Sequence, residues 1–200
     1  MAHQSAEDGE WDDDNKNRYK PPEKRTLEEI RGLDQEDESL QRYKAALLGP
    51  AVGTFNIPFP DNPSNVVVEK FCILVEGQPD IEFNLLGNLS TFKSKPVQIV
   101  EGSCYRIQVV YYVQRDIVCG LRFKQSTHKG LIQADKISVM LGSYGPQSEP
   151  YVWKSEPEEA PKGVLSRGIY NIKSQFTDDD KTDYVTWEWC INVVKKSSDS

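Results

Sequence analysis

The stretch Val185-Thr186-Trp187-Glu188-Trp189-Cys190-Ile191-Asn192-Val193 decides the fold class. Val, Trp, Trp, Ile and Val take every second position, with Thr, Glu, Cys and Asn between them. Successive side chains of a strand point to opposite faces, so this is a strand with both indoles on one face. Tyr105, Ile107, Val109, Tyr111 and Val113 repeat the pattern against Arg106, Gln108, Val110, Tyr112 and Gln114. Asn65 to Val75 is nearly continuous in apolar residues, and further strand patterns lie near 80–86, 96–100, 117–126, 131–141, 150–155 and 164–174. About nine short strands separated by turn signals predict a mostly β chain, an antiparallel sandwich of immunoglobulin-like architecture. The Cys–Trp–Cys framework of antibody domains is missing, because the first tryptophan after Cys72 is Trp153. The alternation fits two arrangements of Trp187 and Trp189: a filled core, or the lining of a cavity that accepts an apolar ligand.

The 200 residues suit one domain with a tail. Residues 1–63 hold 14 acids against 8 Lys and Arg, whereas 64–200 hold 17 against 16. Residues 1–25 form an acidic leader that cannot bury enough apolar surface to offset its ordering entropy, so it is expected to be disordered. Residues 26–49 read as an arm of two short helices. Thr26 and Glu29 have capping-box spacing, and Leu40, Tyr43 and Leu47 recur on one face of a helix starting near Asp34 to Asp37. Gly49-Pro50 ends it, residues 50–64 form a linker, and 65–197 form the sandwich. Helices this short are marginal alone, so their apolar faces need a second surface. The overall acidity argues against nucleic acid and anionic membranes and towards basic partners. No apolar run spans a bilayer and no signal-peptide core begins the chain, which predicts a cytoplasmic protein without stable membrane insertion. A monomer is the expected state.

Candidates for chemistry are few. His3 lies in the leader and His128 in an expected loop, neither beside a nucleophile or carboxylate that sequence can place. Cys72, Cys104, Cys119 and Cys190 form no C-x-x-C pair and read as reduced thiols in apolar stretches. Gly142-Ser143-Tyr144-Gly145-Pro146 lacks the G-x-S-x-G spacing and reads as a tight turn after a strand. Asp178-Asp179-Asp180 with Asp183 invites a calcium reading, but an EF-hand loop would need glycine and glutamate where Asp183 and Trp189 stand. A solvated acidic turn and a docking patch for a basic surface are the other readings. No catalytic residue, metal site or cofactor is expected.

Taken together, Tyr19-Lys20-Pro21-Pro22, Asp37-Glu38-Ser39-Leu40, Ala46-Leu47-Leu48-Gly49, Arg115-Asp116-Ile117-Val118, Leu141 to Pro146, Glu158 to Gly163 and Phe176 to Trp189 resemble the Rho GDP-dissociation inhibitors. The resemblance covers nearly the whole chain from Tyr19. It implies a helical arm that contacts the switch regions of a prenylated Rho-family GTPase, with the GDP form favoured and GDP release blocked. It also implies a sandwich that takes the geranylgeranyl lipid between its sheets and so extracts the GTPase from membranes. By the same resemblance Asp37, Tyr43 and Asp180 contact the GTPase. Ile73, Val97, Tyr105, Ile117, Leu165, Ile172, Trp187 and Trp189 line the prenyl pocket, with Leu47 and Leu48 closing over it. A general soluble lipid-binding chaperone for prenylated or acylated proteins is the alternative, against which the arm tells, since a lipid carrier needs no switch-binding helix.

Overall fold

The alternation of 185–193 falls inside the last strand of a two-sheet sandwich, in a computed structural model that describes residues 37–39, 42 and 56–196. The strands are β1 (Val66–Val75), β2 (Ile81–Asn84), β3 (Val97–Val100), β4 (Cys104–Val113), β5 (Val118–Lys129), β6 (Ile132–Tyr144), β7 (Tyr151–Lys154), β8 (Glu158–Glu159), β9 (Gly168–Thr177) and β10 (Asp183–Val194). One sheet runs β2-β1-β4-β7, with β8 also on β4, and the other runs β3-β10-β9-β5-β6. All pairs are antiparallel except β3–β10. That parallel pair follows from the crossover through the 3₁₀ turn Leu89–Ser94, which returns the chain to the second sheet in the direction of β10.

The alternating residues meet between the sheets. Phe71 lies at the centre, with its ring centroid 5.2 Å from Trp187 and 4.9 Å from Trp189. Both indoles are 1% exposed. Each such side chain contributes about 1.5–3 kcal/mol through burial, so this cluster is the main source of cohesion between the sheets.

The two flanks of the sandwich differ. At the β2/β3 flank the Leu89–Ser94 turn closes the interior. Asn88 caps it by accepting from the Ser90 N–H, and Phe92 packs on Phe83 at 4.9 Å. Among the described residues no such element covers the β6/β7 flank, and most of β6 is exposed. Aromatic rings seal half of that flank: Tyr144 lies 4.8 Å from Tyr151, and Trp153 lies 5.3 Å from Phe123. Towards Tyr105 this seal stops.

The described part of the expected linker is bound to the sandwich. The fully buried Gln114 accepts from the Phe59 N–H and donates to the carbonyls of Asn62 and Ser64. Arg115, held at φ 73°, donates to the carbonyls of Pro60 and Asn62. Residues 56–64 therefore lie along the end of the sandwich that carries Val113 and the Asp178 turn.

Several sequence expectations change in the structure. His128 sits within β5 rather than in a loop, opposite Asn171 and Gln133. Gly142, Ser143 and Tyr144 belong to β6 itself. The expected strand at 164–174 is a 3₁₀ turn at Val164–Ser166 followed by β9, which runs on to Thr177. Cys72 and Cys190 are buried, the latter with its thiol against the Lys93 carbonyl, but Cys104 and Cys119 are exposed.

Candidate functional site

The interior near the unsealed flank mixes apolar and polar groups. Ile73, Val97, Ile172, Trp187 and Trp189 belong to one buried cluster, and Tyr105 packs against it partly exposed. Trp189 Nε1 donates to Ser174 Oγ at 3.0 Å, and Ser174 Oγ donates to Gln125 Oε1 at 3.2 Å. All three residues are buried. By contrast, Trp187 Nε1 is the one buried side-chain polar atom without a partner among the described residues. An unpaired buried donor costs about 1–3 kcal/mol. Gln125 and Ser174 were not singled out from the sequence. The signal was available, since Leu121, Phe123 and Gln125 share one face of β5, as Ile172, Ser174 and Phe176 do in β9.

Tyr105 stands at the end where the aromatic seal stops. Its hydroxyl donates to Glu158 Oε2 at 2.7 Å. Burial, then Glu158, then Asp135 from β6 push its pKa far above the usual phenol range. Asp135 therefore lies across the flank from Tyr105. Ile137 pairs with Gln125 and Val139 with Phe123, so both face the interior side, yet Val139 is 38% exposed. A groove of about 430 Å³ adjoins Tyr105, lined by Leu74, Val75, Glu76, Cys104, Arg106 and Pro157.

Two expected lining residues are not part of this buried cluster. Leu165, in the Val164–Ser166 turn at the Tyr105 end, is 93% exposed. Ile117 follows Val113 at the opposite end of β4, about 27 Å of strand from Tyr105, and its N–H is held by Asp116 Oδ1 at 2.7 Å. Leu47, Leu48 and Tyr43 lie outside the described residues.

The acidic turn separates its four aspartates by role. Asp178 accepts from the Thr182 N–H at 2.9 Å and from the Tyr184 hydroxyl at 2.6 Å, building the turn. Asp179 pairs with Arg122 at 3.2 Å and lies over Gly120. Gly120 has φ 62°, and a Cβ there would sit 1.8 Å from the Asp179 carboxylate, so glycine is required twice over. Asp183 accepts from Thr186 Oγ1. Asp179, Asp180 and Asp183 are all exposed, and of the four Asp180 alone makes no hydrogen bond or ion pair with another described residue. At the arm, Asp37 is exposed and accepts from the Ser39 N–H at 2.9 Å, capping a helical segment in which Arg42 meets Glu38 at 3.7 Å.

This arrangement offers surfaces to hold a partner: an exposed carboxylate on a hydrogen-bonded turn, and a dry apolar core whose β6/β7 flank no described element covers. Comparison with known proteins accounts for it. A family profile described as "RHO protein GDP dissociation inhibitor" matches residues 3–196. The chain belongs to the Rho GDP-dissociation inhibitor family. It is 42% identical over 200 residues to Rho GDP-dissociation inhibitor 1 of Homo sapiens, covering 100% of this chain and 95% of that protein. The same identity and coverage hold for its namesake in Rattus norvegicus. Rho GDP-dissociation inhibitor of Saccharomyces cerevisiae is 40% identical over 204 residues, covering 98% of this chain and all of that protein. A Rho GDP-dissociation inhibitor is a regulatory binding protein rather than a catalyst, in keeping with a site made of docking surfaces.

Proposed function

We propose that this chain binds prenylated Rho-family GTPases, preferring the GDP form, and takes their geranylgeranyl group between its sheets. In this reading residues 1–25 are an acidic leader, 26–49 the switch-binding arm, 50–64 the connection, and 65–197 the sandwich with its lipid pocket. Asp37 and Tyr43 contact the switch regions together with Asp180. Residues 56–64, which follow the arm in sequence, and Asp180 share one end of the sandwich, which supports a single GTPase surface there.

The observation that carries the lipid reading is the unsealed β6/β7 flank of an otherwise closed apolar core. A prenyl chain gains about 0.8 kcal/mol per CH₂ removed from water, so only an interior of this kind holds it in solution. The lipid enters beside Tyr105, over the inward faces of Ile137, Val139 and Ile172 on the opposite sheet, and approaches Ile73, Val97 and Trp189. Leu165 folds over it, with Leu47 and Leu48 from the arm. Trp187 and Trp189 are already dry, so the lipid must displace their neighbours outward rather than fill a waiting void. Ile117 lies at the opposite end. About 27 Å separates the Tyr105 and Val113 ends, a span that eight or more residues of extended GTPase tail cover. The complex is cytoplasmic in this reading.

Pull-down tests it: GDP-loaded geranylgeranylated Rho GTPase should bind at least tenfold more tightly than the unprenylated form. Equal binding would remove the lipid from the reading and leave only the switch contacts.

A further inference from the structure

Two loops at the Tyr105 end hold large aliphatic side chains out in water. Leu131 is fully exposed at the β5–β6 turn, Ile132 is 73% exposed, and Val164 is 75% exposed beside Leu165. They are held there by built contacts. Lys129 Nζ donates to the carbonyls of Leu165 and Arg167, tying the hairpin to the 163–167 loop, and lies 5.1 Å from the centre of the Tyr170 ring. Arg167 Nη2 meets Glu101 at 2.7 Å, and the same carboxylate accepts from the Gly163 N–H. Tyr170 donates to the Ser166 carbonyl. A loop clamped at both ends with its apolar side chains outward presents them to something.

The surrounding charge identifies the kind of surface. Residues 129–136, 161–168 and 195–196 carry Lys129, Lys136, Lys162, Arg167, Lys195 and Lys196. Glu101, Asp135, Glu158 and Glu159 are the carboxylates among and against them, so six cations face four carboxylates and the tip is net cationic on a chain of net charge −7. The overall acidity read from the sequence hides this local reversal.

We propose that this tip docks on anionic bilayers, with Leu131, Ile132 and Val164 reaching into the headgroup boundary and the lysines facing acidic lipids. Apolar side chains at loop tips ringed by cations fit that interface, and the two contributions reinforce each other. Docking at this end brings the Tyr105 mouth to the membrane, so a prenyl chain would pass from bilayer to interior without crossing water. The idea deepens the lipid reading above. Its test uses the full-length chain without GTPase or prenyl ligand, so the two can fail separately.

The experiment is flotation with vesicles of phosphatidylcholine alone and with about a third phosphatidylserine, at low and physiological salt. The wild-type chain should partition at least fivefold more to anionic vesicles, with the difference shrinking as salt rises. Leu131→Glu/Val164→Glu should abolish that partitioning while melting temperature and solution binding of a geranylgeranyl peptide stay unchanged. Equal partitioning of wild type and variant, or no preference for anionic lipid, overturns the proposal. So does a variant that floats normally but binds unprenylated GTPase less well, which would assign the tip to the protein partner. A variant with lowered melting temperature is replaced by Leu131→Ser alone, whose side chain touches nothing that holds the fold and which must still lose at least half of the partitioning.

Discussion

Replacing Asp178 and Asp180 by alanine, one at a time, separates what builds the acidic turn from what the turn presents. Asp178 is 8% exposed and its two oxygens hold the Thr182 N–H and the Tyr184 hydroxyl. Each hydrogen bond to a charged acceptor contributes about 1.5–3 kcal/mol, and the tyrosine hydroxyl would be left unpaired in a half-buried place. Some relaxation offsets this, so Asp178→Ala should cost about 2–4 kcal/mol. For a domain of this size that is a fall of roughly 4–16 °C in melting temperature. Asp180 has no such partners, and its removal should change stability by less than about 0.5 kcal/mol. Binding should show the converse for Asp180→Ala. Losing a carboxylate opposite a desolvated cation costs about 2–5 kcal/mol. Even the lower figure is a roughly thirtyfold weaker complex. Differential scanning fluorimetry and GDP release from a geranylgeranylated Rho GTPase read the two quantities. A melting temperature lowered as much by Asp180→Ala as by Asp178→Ala would refute the reasoning, as would unchanged affinity after Asp180→Ala.

The two indoles offer a second comparison. Trp189→Phe breaks the bond to Ser174, while Trp187→Phe removes a donor that has no partner, so urea unfolding should show Trp189→Phe costlier by about 1–2 kcal/mol; equal costs would contradict it. Glu101 is held at a pKa of about 2, first by the Arg167 hydrogen bond and then by the Gly163 N–H. A depressed carboxylate contributes stability above its ordinary value near 4.5 and loses it as pH falls through the folded value. The Gly163 amide resonance should therefore titrate with a midpoint near 2 and stay flat in Glu101→Gln; a midpoint near 4.5 would mean that the clasp does not form. Deleting residues 1–50 spares the Gln114 and Arg115 anchors of 56–64, so the melting temperature should stay within about 2 °C while inhibition of GDP release is lost. Inhibition that survives the deletion would take the arm out of the mechanism.

Strand identity was legible because β-branched and aromatic residues alternate over long runs such as 105–113 and 185–193. The parallel β3–β10 pair was not, since pairing direction depends on how a crossover packs rather than on strand composition. The short strand at Glu158–Glu159, within the stretch 158–163 that the sequence singled out, was not expected as a strand because two residues carry no periodicity. Residues 56–64 look like a linker by composition, and only the buried Gln114 amide, whose partners lie about fifty residues upstream, fixes them to the sandwich. Within the site, alternation put both indoles on one face but could not divide core from cavity. The structure buries both indoles and leaves one flank uncovered among the described residues, where covering elements rather than strand residues decide exposure. The four aspartates of 178–183 are equivalent in sequence, and the turn geometry alone singles out Asp180.

Photocrosslinking with a diazirine-bearing geranylgeranyl peptide tests most directly where the lipid goes. After irradiation and peptide mass spectrometry, adducts should fall on Tyr105, Ile137, Val139, Leu165 and Ile172, inside or at the mouth of the β6/β7 flank. Unlabelled geranylgeranyl peptide should suppress them. Adducts confined to the outer faces of the sheets, or to the Ile117 end, would contradict a lipid held between the sheets beside Tyr105.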